Sequence, residues 1–152
     1  MKIEYRTGNL FLDTNIAYIV HCVNAQHRMK SGFAKELRER YPDAYDTYMA
    51  EPVLRMGDII PHVAPDSRTI FHLVGQQHYG NDGERYVSYD AITEGIVTLN
   101  KIAPEIRMTE LAMPLIGAGL AGGSWSVISE IIQHYSVDFQ PIVYLLDGKI
   151  PE

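Results

Sequence analysis

Residues 111–124 read Leu111-Ala112-Met113-Pro114-Leu115-Ile116-Gly117-Ala118-Gly119-Leu120-Ala121-Gly122-Gly123-Ser124. Leu111 to Ile116 is a short apolar run with the length of a buried strand, interrupted at Pro114, which cannot donate to a sheet ladder. Ser124 stands just before Val127, Ile128, Ile131 and Ile132, whose spacing marks one face of a helix, and its hydroxyl suits the capping position. Between strand and helix lie Gly117, Gly119, Gly122 and Gly123, which permit backbone angles and close approaches closed to larger residues. Such a turn can aim several N–H groups at a diphosphate, helped by the positive end of the following helix. The same composition also suits a turn that binds nothing. It lacks the Lys-Ser/Thr ending of a triphosphate loop and the glycine order of a dinucleotide turn.

The alternation seen there extends in both directions. Met1 to Arg6 reads as a first strand ending at Thr7-Gly8-Asn9, and Tyr18 to Val23 as a more buried second one. Phe33, Ala34, Leu37 and Tyr41 recur at helical spacing from Gly32 onward, and Pro42 stops that helix and opens a shorter one carrying Ala44, Tyr45 and Tyr48. Asp58 to Val63 is expected at a sheet edge because of Pro61, and Thr69 to Val74 is a stronger strand. Gly75 to Arg85 reads as a polar loop. Ser88 then caps a helix with the stripe Ile92, Ile96, Leu99 and Ile102, and Ile142 to Leu146 completes the set as a strand. Strands separated by helices in this way predict an α/β fold with a central mixed sheet between helical layers, one domain over 1–152. The strand-to-helix loops then gather along one sheet edge, where a ligand is expected.

Composition narrows the function classes. The chain has 152 residues, 46% of them apolar or aromatic, enough for one core that buries about two-thirds of the surface of the unfolded chain. Its formal charge of -6 argues against an extended nucleic-acid surface, while leaving room for a small phosphorylated ligand held by backbone N–H groups. Cys22 is the sole cysteine, in an apolar run, and reads as a buried structural thiol. No stretch has membrane-spanning length and Met1-Lys2-Ile3-Glu4 does not resemble a signal peptide, so a cytoplasmic monomer is expected.

Several side chains are candidates for chemistry. Asn24 follows a buried strand and can offer a sugar hydroxyl both a donor and an acceptor, or fold its own turn instead. Asn9 can read an adenine edge or simply end the first strand. His21 and His72 fall within strands, where packed imidazoles are expected; His27 and His78 fall in polar loops and can face substrate. The histidines and Cys22 lack the spacing of a zinc site, so no metal and no cofactor are expected. Gln76, Gln77, Tyr79, Asn81, Asp82 and Tyr86 make a loop able to close over a sugar or base, and Trp125 suits either a pocket wall or a helix-to-sheet anchor.

Gly8-Asn9-Leu10-Phe11, then His21-Cys22-Val23-Asn24 with Met29-Lys30-Ser31-Gly32-Phe33-Ala34, then Met113 to Leu120, resemble in order and spacing the macro-domain family. The resemblance points to the small branch with terminal ADP-ribose hydrolases and yeast-type ADP-ribose 1''-phosphate phosphatases. It implies a three-layer α/β/α domain with a cleft for ADP-ribose or an ADP-ribosylated substrate. By that resemblance Asn9 and Leu10 face the base, Asn24 the distal ribose, and Ser31, Gly32 and Phe33 cradle phosphate and sugar. Gly117, Ala118, Gly119, Leu120, Ala121, Gly122 and Gly123 surround the diphosphate. The hydrolase branch uses a lysine and an aspartate where this chain has Gln76 and Ala121, and glutamine supplies no amine nucleophile. The implied functions are hydrolysis of ADP-ribose 1''-phosphate, with Asn24, Gln76 and a proton-handling His27 near the reaction, removal of ADP-ribose from a macromolecule, or noncatalytic reading of the modification.

Overall fold

The computed structural model describes residues 1–29, 32–80 and 82–151. In chain order the elements are β1 (Glu4–Thr7), β2 (Tyr18–Asn24), α1 (Gly32–Arg40), α2 (Pro42–Ala50), β3 (Ile59–Val63), β4 (Thr69–Gln76), α3 (Tyr89–Ile106), β5 (Glu110–Met113), α4 (Trp125–Tyr135) and β6 (Gln140–Leu145). Short 3₁₀ turns at Leu10–Leu12 and Gly119–Ala121 were not legible as elements in the sequence.

The strands form one sheet in the order β1-β6-β5-β2-β4-β3. All neighbours are parallel except β3, which runs antiparallel to β4 at the edge where Pro61 is tolerated. Period-two alternation along the strands divides the core in two. Val20, Phe71, Leu73, Leu111, Met113, Val143 and Leu145 pack with Ile92, Ile96 and Leu99 of α3 and Ile128 and Ile132 of α4. Ile19, Val23, Ile70, Val74, Ala112 and Ile142 face the other way, against Leu37 of α1 and Ala44 and Tyr48 of α2. The sheet is therefore covered on both faces, as a largely parallel sheet requires.

Some element ends differ from the expectation for identifiable reasons. β4 runs on to Gln76, because β2 continues to Asn24 and pairs with it across an irregularity after Val23. β5 stops at Met113, since Pro114 has no N–H to continue the ladder. Ser124 occupies the N-cap of α4 but makes no side-chain capping bond; its hydroxyl lies 2.9 Å from that of Ser126 instead. Trp125 is buried, and its indole N–H donates to the Tyr5 hydroxyl at 3.0 Å, tying α4 to β1. It is a packing anchor. Among the described residues, no helix is long and apolar enough to cross a membrane.

Candidate ligand-binding crevice

The C-terminal ends of the parallel strands share one edge of the sheet. The chain leaves β2 toward α1 on one face and leaves β5 toward α4 on the other, so the β2/β5 boundary is the switch point where ligands enter open α/β sheets. Between these strands only Ile19 and Ala112 are in register, which leaves Asn24 and the turn after Met113 unpaired across the boundary.

The turn after β5 is internally braced. Gly123 N–H donates to Gly117 O at 2.9 Å and Gly122 N–H to Gly119 O at 3.0 Å. Ala121 O accepts from Tyr86 N–H at 2.7 Å and Val87 N–H at 3.1 Å, docking the preceding loop onto the turn. Gly122 (φ 74°) has no room for a side chain, because a Cβ would overlap Glu84 O and lie 2.9 Å from Arg85 Cα. Gly119 (φ 67°) is the opposite case: it is exposed, and nothing comes within 4 Å of where a Cβ would stand. Backbone bared in this way can be approached closely by a ligand. The N–H groups of Gly117 and Gly119 donate to no protein acceptor among the described residues. Gly117 and Ala121 are buried and Ala118 half-buried, so this part of the turn packs against the protein. Leu120 is placed by its backbone in the 3₁₀ turn, and its side chain lies outside the described part of the structure.

Across the boundary, Asn24 organises the loop leaving β2. Its Oδ1 accepts from Gln26 N–H at 3.0 Å and Arg28 N–H at 3.3 Å, and its Nδ2 donates to Arg28 O at 2.9 Å. The Tyr48 hydroxyl donates to Asn24 O at 2.6 Å and lies 3.1 Å from Oδ1. The acceptor end of the amide is thus occupied, while Nδ2 keeps a second proton. His27 sits in the left-handed backbone region (φ 57°), with Nε2 2.7 Å from Glu51 O. A carbonyl only accepts, so Nε2 donates there, and Nδ1 has no hydrogen-bond partner among the described residues. Gln76 is the strand neighbour of Asn24 and donates through Nε2 to His78 O at 2.8 Å.

The turn after β1 bends toward α1. Asn9 Oδ1 accepts from Phe11 N–H at 3.0 Å, and its Nδ2 donates to Glu36 at 2.9 Å. That bond, with Arg40 beyond it, holds the Glu36 carboxyl below its usual range and hence ionised at neutral pH. Leu10 is 2% exposed and lies in the core under α1 and α2. Phe33 stacks on Phe11 with ring centroids 4.7 Å apart, and Gly32 is exposed beside it. Asn9, Gly32 and Phe33 therefore come together, whereas Ser31 lies outside the described residues, as do Lys30 and Asn81.

Sequence reasoning did not find two of these contributors. Glu36 reads as a solvent-facing helix residue, and its pairing with Asn9 spans 27 positions. Tyr48 has only the helical spacing of a core residue. Burial pushes the Cys22 thiol up to about 12, which removes it as a nucleophile at neutral pH. No cluster of three histidine, cysteine, aspartate or glutamate side chains able to hold a metal occurs among the described residues.

No protein-family profile matches the chain. Over 147 residues it is 23% identical to the ADP-ribose glycohydrolase OARD1 of Bos taurus, a match covering 95% of this chain and 92% of that one. It is 26% identical over 139 residues to the DNA ADP-ribosyl glycohydrolase of Thermus aquaticus, covering 86% of this chain and 37% of that protein. The solved macrodomain of Thermus aquaticus DarG superposes with a TM-score of 0.79 at 24% identity, covering 94% of this chain and 97% of that one. The chain has a macrodomain-like fold.

Proposed function

We propose that the protein binds ADP-ribose at the β2/β5 boundary, with the diphosphate on the Gly117–Gly123 turn, the distal ribose beside Asn24 and the adenosine toward Asn9 and Phe33. The observation that carries this reading is the open backbone at Gly119, set at the sheet's switch point ahead of a helix whose N-terminus lacks a side-chain cap. N–H groups there can neutralise a diphosphate without a basic side chain, which suits a chain of net charge -6. The names of the sequence relatives, both glycohydrolases of ADP-ribose linkages, support the same ligand.

Turnover in this crevice runs through water. Gln76 and Ala121 supply neither amine nor carboxylate, and Cys22 is a half-buried thiol held neutral. Water attacking the terminal phosphorus of ADP-ribose 1''-phosphate would form a new P–O bond and break the bond to ribose O1'', with His27 Nδ1 accepting the water's proton and O1'' taking one from solvent, to leave phosphate and ADP-ribose. Absence of those two groups also favours a second reading, a reader that holds ADP-ribose on a macromolecule without cleaving it.

Calorimetry with ADP-ribose tests the binding. Gly119→Val places a branched side chain over the bared backbone and in a left-handed conformation, so affinity is expected to fall by at least about tenfold. A folded variant that binds as tightly as the parent would remove the turn from the site. Incubation with ADP-ribose 1''-phosphate and with ADP-ribosylated DNA and protein, following phosphate and nucleotide products together, then separates enzyme from reader.

A further inference from the structure

We propose that Tyr48 is a positioning residue of the crevice, its buried phenol fixing the loop that carries Asn24 and His27 in the shape the ligand meets; this rests on the ADP-ribose reading above. Tyr48 is fully buried on α2, 24 positions from Asn24. Its hydroxyl has one proton and two lone pairs. The proton goes to Asn24 O at 2.6 Å, and the oxygen accepts from Arg28 N–H at 3.1 Å, closing the loop from both ends. The 3.1 Å approach to Asn24 Oδ1 restrains the amide as well, and the Tyr48 ring lies against the His27 ring at 5.6 Å. One group therefore touches both proposed chemical side chains and faces no ligand itself.

The anchor is rigid because α2 is tied to the sheet beneath it. His72 Nε2 donates to Ala44 O at 2.9 Å, one turn before Tyr48. Thr47 Oγ1 donates to Asp43 O and lies 2.8 Å from His62 Nδ1 on β3. The register shift after Val23 pairs Asn24 with Gln76, and Tyr48 captures the Asn24 carbonyl at that point. The loop's conformation is thus set from inside the core.

Tyr48→Phe keeps the ring and removes the two hydrogen bonds, while Asn100→Ala removes the acceptor of Val137 and Asp138 N–H, ahead of β6 and away from the loop. Three quantities are compared across parent and variants: amide exchange at Arg28 and Gln26 by NMR, the Kd for ADP-ribose, and the thermal midpoint. Tyr48→Phe is expected to speed exchange at Arg28 and weaken ADP-ribose by about tenfold each, whereas Asn100→Ala lowers the midpoint alone. Unchanged Arg28 exchange in Tyr48→Phe overturns the proposal, as does an equal loss of affinity in Asn100→Ala. If the parent itself fails to bind ADP-ribose, the functional reading falls, and exchange at Arg28 still decides whether Tyr48 sets the loop.

Discussion

Asn24 works in two directions at once. From the sequence, an asparagine after a buried strand can meet a sugar or fold its own turn, and the two uses demand the same donor and acceptor. The structure shows the turn made by Oδ1 and one amide proton, with the second proton left over. Asn24→Ala therefore has a double effect: it takes the acceptor from Gln26 N–H and one of the two acceptors from Arg28 N–H, and it removes the remaining donor. Stability is expected to fall by about 1–3 kcal/mol in urea titrations, together with ADP-ribose affinity. A stability loss with full affinity would make Asn24 a loop residue only. Tyr48 shows what sequence reading cannot reach at this scale. Its helical spacing says that the ring points inward, but the hydroxyl's partner depends on an irregularity in β2, a feature of pairing and not of composition.

At the scale of elements, periodicity carried most of the fold. Stripes such as Ile92, Ile96 and Leu99 located α3, and Pro61 located the edge strand, because burial on one face leaves a repeat in the chain. Ends were less legible, since they depend on neighbours: β4 reaches Gln76 only because β2 offers Asn24 as a partner. The two helix-start serines make the point measurable. Ser88 Oγ accepts from Ala91 N–H at 3.1 Å at the start of α3, whereas the Ser124 side chain leaves the first N–H groups of α4 uncapped. Ser88→Ala is expected to cost about 1 kcal/mol and Ser124→Ala only ~0.3 kcal/mol in the unliganded protein. Equal losses in denaturation would mean that the Ser124 hydroxyl caps α4 in solution. The uncapped start is also what an anion-binding helix needs, so here a departure from the local rule coincides with the proposed site.

Over the whole molecule, the two half-cores meet at the sheet, and one of them contains an imidazole pair. His21 and His72, on adjacent strands under α1 and α2, are 1% and 0% exposed. His72 Nε2 donates to Ala44 O, so His72 Nδ1 is unprotonated and accepts from His21 Nε2 at 2.6 Å. Both rings are neutral in this arrangement. Desolvation by burial lowers His72 to about 4, and desolvation together with the neighbouring His72 takes His21 well below its ordinary value. Between an unfolded value near 6.5 and these folded values the unfolded chain binds more protons, so stability rises with pH in that window. It is complete above about pH 6.5 and is lost as pH falls toward 4, by roughly 3 kcal/mol for His72 alone. The carboxylates held below their usual range, Asp13, Glu36 and Asp66, act in the same direction, but from an unfolded value near 4 downward. Urea midpoints measured from pH 7.5 to pH 4.5 should therefore already decline below pH 6.5, before the carboxylates titrate. A flat profile down to pH 5 would show that the pair takes up a proton without resistance and is not the sealed element that ties α2, and through it Tyr48, to the sheet.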